Sequence, residues 1–209
     1  MLSAQRTRFA LLTALALALS LGLVACSDDS LTSPADRAPQ ASLDEQWQAE
    51  VDALRAEIGD EAMAELTPQL EQARAELGDT AAKHGARLYL AYVTTTFDDL
   101  GIYGNGWSNV LGHLSTLGQS TVDFSTDPPT QYVDTVITDT DGEEIYTEGV
   151  GQVVANADFT GAEITGTVEF VGGTGPYANV AGTTWYFGNV DFVAATGWYL
   201  AWGWINLNG

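Results

Sequence analysis

From Arg87 to the C-terminus the chain is written in short runs rich in Thr, Val, Tyr, Phe and Trp, punctuated by Gly, Asn and Asp. β-Branched and aromatic residues in that pattern spell strands joined by tight turns. Strands are expected over 87–97, 107–124 (broken near Gly118), 131–138, 144–154, 161–171, 183–193 and 197–206. Asp139-Thr140-Asp141-Gly142 is a hairpin signal. It also resembles the opening of a calcium loop, but the later ligands of an EF-hand are missing, which favours a turn.

Side chains alternate across a strand, so each run shows which of its faces needs cover. In 161–171, Ala162, Ile164, Gly166, Val168 and Phe170 share one face, and Glu163, Thr165, Thr167 and Glu169 the other, as in a half-solvated strand. In 197–206, Trp198, Leu200, Trp202 and Trp204 stand opposite Tyr199, Ala201, Gly203 and Ile205. Both faces there are apolar, as they nearly are from Leu88 to Phe97. Such strands fill a barrel interior while helices or another subunit cover their outer face.

Between two of these runs lies Phe170-Val171-Gly172-Gly173-Thr174-Gly175-Pro176-Tyr177-Ala178-Asn179-Val180-Ala181-Gly182. Gly172, Gly173 and Gly175 let the backbone turn sharply out of the strand, and Gly182 opens the next one. A structural corner is the expectation, since phosphate cradling would call for a following helix and a lysine. The segment is similar to the GGTGxF…AxG segment of the allene oxide cyclase and dirigent group of β-barrels. Gly172, Gly173, Thr174 and Gly175 match, Tyr177 stands where the group favours Phe, and Ala181-Gly182 matches the closing pair. Pro176 departs, because a basic residue is common there. Leu111-Gly112-His113-Leu114 and Asp141-Gly142-Glu143-Glu144 are weaker echoes. The resemblance spans residues 85–209. It implies a mainly β fold and an antiparallel barrel of about eight strands, and it allows self-association as a trimer; the residues before it add a short α-helical segment.

The amino terminus reads differently. Arg6 and Arg8 precede an apolar run from Phe9 to Leu23, the layout of an export signal over residues 1–25. The run is too short for a comfortable transmembrane helix. It ends in Leu23-Val24-Ala25-Cys26, which resembles a bacterial lipobox, so Cys26 is expected to be acylated with fatty acid such as palmitate and to become the mature terminus. Ser27 follows in place of Asp, which directs the expectation to the outer membrane of the cell envelope. The only cysteine is Cys26, so no intramolecular disulfide forms. Residues 26–41 are rich in Ser, Asp, Thr, Pro and Ala and read as a flexible tether with a reach of roughly 50 Å.

A helical segment is expected over residues 42–84. Ser42-Leu43-Asp44-Glu45 fits a capping box, and Trp47, Val51, Leu54 and Ile58 recur at helical spacing. Gly59-Asp60 interrupts, and Met63, Leu66, Leu70, Ala73 and Leu77 give a second stripe closed by Gly78. Thr67-Pro68 reads either as a kink or as a new helix start. The stripes are expected to pack on the barrel or on each other, with a partner-binding hairpin as the alternative.

Formal net charge is −21, and no Lys or Arg follows Arg87. Beyond Arg87 the strands carry no cation to neutralise phosphates, which argues strongly against nucleic acid and anionic lipid as partners. The acidity reads as solubility or salt tolerance, with calcium capture as the sharper alternative. His84 and His113 are the only histidines, so no transition-metal centre and no cofactor are expected. The catalytic candidates are His113 and the carboxylates Asp134 and Glu148, should these point inward. Tyr89, Trp107, Tyr132 and Trp185 are the candidates to line a ligand cavity. Two functions fit: a lipid-anchored envelope barrel that binds a small apolar ligand or serves a structural role, and a cyclase/isomerase-like or dirigent-like protein that steers a reactive molecule by confinement.

Overall fold

Short β runs with turn residues between them close on themselves when each strand pairs with its neighbour and the last returns to the first. The computed structural model describes residues 41–78 and 86–208. The export signal, Cys26, the tether and His84 lie outside the described residues. The strands are β1 Arg87–Asp98, β2 Gly101–Ser108, β3 Gly112–Asp123, β4 Thr130–Asp139, β5 Glu144–Ala155, β6 Gly161–Gly173, β7 Ala181–Asp191 and β8 Thr196–Asn206. They form a closed antiparallel barrel in sequence order, with β8 paired back onto β1. The eight-stranded, mainly β architecture is thus shown.

One expected boundary moves. The break near Gly118 is absent, because Gly118 lies inside β3, paired with Thr135 and Ile102. The turn falls at residues 109–111 instead, and an unexpected strand, β2, precedes it. Three glycines give Gly101–Ser108 the look of a loop. Two of them are there for close approach: a Cβ on Gly104 would strike Val93 and Thr116, and one on Gly106 would strike the Tyr92 carbonyl.

Helix α1, Leu43–Leu77, begins at the capping box: Ser42 Oγ accepts from Glu45 N at 3.2 Å, and Ser42 N donates to Glu45 Oε2 at 2.7 Å. Gly59 (φ 81°, ψ 167°) breaks it into two arms, 43–58 and 60–77. The chain folds back there, so that Arg74 Nη2 reaches Asp44 Oδ1 at 2.6 Å. Pro68 stays within the second arm and does not end it.

The arms bury both stripes in one core with the outer faces of β1 and β8. Leu54, Leu66, Leu70 and Leu77 pack there with Leu88, Leu90, Leu200 and Trp202. Each large side chain removed from water contributes about 1.5–3 kcal/mol, so the hairpin is the cover that the doubly apolar strands require. A second core fills one end of the barrel with Leu114, Ile137, Ile145, Phe170, Val180 and Ile205. Residues Ala41–Gly209 form one compact unit that contains both cores, so this unit holds all the packing needed to fold by itself.

The glycine-rich corner closes that filled end. Gly172 and Gly175 have φ of 146° and 47°, which only glycine adopts easily. A Cβ on Gly173 would strike the Glu144 carbonyl. Thr174 stitches the corner to the β4–β5 turn: its Oγ1 donates to Glu143 Oε2 at 2.6 Å and accepts from Glu144 N at 2.8 Å. The Tyr177 hydroxyl donates to Asp139 Oδ2 at 2.9 Å. Desolvation pushes the Asp139 carboxyl up, but hydrogen bonds from Tyr177 and from backbone N–H groups outweigh it and hold the group below the usual carboxylate range. Asp139 Oδ1 accepts from Asp141 N and Glu143 N, as a side chain that shapes a turn does.

Candidate functional site

Alternation places Tyr89, Thr95 and Phe97 of β1, Thr184, Tyr186 and Val190 of β7, and their neighbours around a cavity of about 120 Å³ inside the barrel. At its floor Tyr89 meets Phe170 edge-on, ring centroids 5.3 Å apart, above the filled end. Towards the other end the bore is ringed by Phe97, Ile102, Val133 and Val190, which are only half-buried. Along β1 and β7 burial falls from Tyr89 and Thr184 to Phe97 and Val190, so the bore is less covered at the end that carries the turns 99–100, 124–129, 156–160 and 192–195.

Among the described residues, no Asp, Glu, His, Lys or Arg lines this cavity. Its polar groups are hydroxyls and one amide. Burial pushes the Tyr89 hydroxyl far up, with a hydrogen bond to Ser108 opposing the shift. Burial likewise pushes Tyr186 and Tyr199 up to about 12, and a hydrogen bond with Thr116 opposes the shift at Tyr199. The Tyr186 hydroxyl faces Gln131 Oε1 at 3.4 Å, while Gln131 Nε2 donates to Ser120 Oγ at 2.8 Å. At neutral pH every lining group is therefore uncharged. The bore can orient a ligand by hydrogen bonds, but it offers no group poised to take or give a proton near neutrality.

Of the four aromatic residues expected in the cavity, only Tyr89 is there. Trp107 and Trp185 point outward and pack against the core beneath the arms of α1. Tyr132 points outward and is 53% exposed. The catalytic candidates also lie outside the bore. His113 is on the outer wall, its side chain 73% exposed and its Nε2 3.6 Å from Glu57 Oε2. Asp134 and Glu148 are exposed register partners on β4 and β5, with Glu169 next on β6. The inward placement considered for these two is thus corrected: both belong to the solvated parity of their strands.

Tyr186, Tyr199 and Gln131 are among the lining groups that the sequence reading missed. A signal for one was present. β6 shows clearly which parity is apolar, and Gly166 of that parity pairs with Tyr186, whereas Thr167 pairs with Trp185.

A second recess, of about 350 Å³, lies on the outer wall beside Leu117, Val136, Tyr146 and Val171. It is larger but lies on the solvated outer wall and shares its rim with Asp134 and Glu148, so the mostly apolar bore is the better site for a small neutral molecule. Comparison of the chain with known protein families, with curated proteins and with solved structures finds no match.

Proposed function

We propose that the barrel, of the allene oxide cyclase and dirigent type, binds a small, neutral, mostly apolar molecule, and that a lipid on Cys26 holds it at the cell envelope. The observation that carries this reading is a mostly apolar bore with hydroxyl and amide groups but no charge among its described lining residues. Ionic ligands would lose hydration there without a counter-charge to replace it. Size narrows the ligand further. An apolar cavity of about 150 Å³ accepts benzene, so this bore of about 120 Å³ has room for at most one compact ring or the end of a chain. Anything longer continues through the mouth.

Confinement of a reactive molecule, the cyclase-like alternative, needs the same bore and is separated by what leaves it. Native mass spectrometry of Ala41–Gly209, purified from its own host, should show an adduct of one small neutral molecule. The bore-filling variant Val168→Phe should lack it. Equal adduct in both proteins would place the ligand elsewhere and overturn the reading. Conversion of the extracted molecule by the protein would move the assignment to the isomerase class.

A further inference from the structure

All four turns at the mouth hold a large apolar residue out in water. Leu100 is 75% exposed, Phe124 79%, Phe159 76% and Val193 79%, with Phe192 beside Val193. Each follows an aspartate that shapes its turn. Asp98 Oδ1 accepts from Leu100 N and Gly101 N, Asp123 Oδ1 from Ser125 N, Asp158 Oδ1 from Thr160 N, and Asp191 Oδ1 from Val193 N and Ala194 N. These bonds fix the loops. Phe159 is held at φ 58°, a conformation that a bulky residue rarely adopts. The turns at the opposite end bury their apolar residues instead, as at Leu111 and Val180.

We propose that this rim docks on a lipid surface without net negative charge, dipping its apolar tips among the headgroups so that a ligand passes between the lipid and the bore. The proposal rests on the ligand-binding reading for the purpose of docking, though not for the docking itself. Three observations select this partner. The tips stand around an opening and have no buried centre, whereas a protein partner needs a continuous patch. A fluid surface can fill the spaces between them. The carboxylates of Asp98, Asp123, Asp158 and Asp191 stand beside the tips with no Lys or Arg after Arg87, so the rim repels anionic headgroups and suits the outward ammonium of a zwitterionic one. Finally, the barrel wall itself is no lipid surface. Asp134, Glu148, Glu163 and Glu169 are exposed on its outside, where a bilayer would penalise them.

The test is flotation of unacylated Ala41–Gly209 with phosphatidylcholine vesicles. The protein should float with them, and replacing part of the lipid with phosphatidylserine should weaken binding. Phe124→Ser or Phe159→Ser should each weaken it about tenfold, and the double variant should abolish it while its thermal unfolding stays unchanged. Val168→Phe, which blocks the bore, should float like the parent, so loss of ligand and loss of docking read out separately. Absence of flotation, or flotation unchanged in the double variant, would overturn the proposal. So would a dimer in lipid-free solution that the same substitutions dissolve, which would assign the rim to a second copy of the chain.

Discussion

The two ends of the barrel use the same ingredients, apolar residues on short turns, to opposite effect. At the filled end Leu111 and Val180 turn inward, 8% and 4% exposed, and join Ile137, Ile145 and Phe170 in a plug. At the mouth Phe124 and Phe159 stand in water. The difference lies in the turns. The filled end has a glycine corner that folds over the bore and is stitched by Thr174 and Tyr177 to the neighbouring hairpin. At the mouth, aspartate-shaped turns hold the chain away from the bore. Packing and hydrogen bonds thus close one end, and the other is left uncovered.

The largest effect should follow damage to the filled end. Gly173→Val places a side chain against the Glu144 carbonyl and Tyr177, and should cost about 3 kcal/mol or more in urea unfolding, or prevent folding. A variant with parental stability would break the assignment of the corner as the structural end.

Between these extremes lies the bore. Tyr186 and Tyr199 have folded pKa values raised to about 12 from an ordinary 10.0. A raised folded pKa means that their stabilisation is complete below pH 10 and is lost as pH rises through about 12. Alkaline titration should therefore show phenolate absorbance from these residues rising together with loss of barrel structure. Ionisation with the fold intact would mean that water reaches the bore freely. The smallest effect belongs to the mouth: Phe124→Ser should change stability by no more than about 0.5 kcal/mol, because its ring leaves water in neither state. A clear loss would show that the tip packs against something and would sharpen the comparison against the docking surface.

Where polarity alternates, the sequence disclosed the architecture. β6 separates Ile164, Val168 and Phe170 from Glu163 and Glu169, and the exposures follow that division apart from degrees of burial. The need for a cover over Leu200 and Trp202 was legible because both faces of β8 are apolar, and the stripes of α1 supply it. Ser42 and Gly59 mark the helix start and the bend by local chemistry alone. The lining of the bore was not legible from single strands. In β7 both Trp185 and Tyr186 look suited to an interior, and only the pairing with β6 separates them. Trp107 belongs to β2, a strand hidden by the glycines that let it approach Val93. Asp134 and Glu148 share strands with apolar neighbours of both parities, so composition left their direction open until register fixed it.

The most direct test of a ligand-binding bore is a titration of Ala41–Gly209 with benzene, followed by methyl NMR. Saturable shifts are expected at Ile164, Val168 and Val133, which line the bore, with Leu54 and Leu66 under the helical arms unmoved. Shifts confined to Leu117 and Val136 on the outer wall, or no shifts at all, would contradict a bore that opens to receive a ligand.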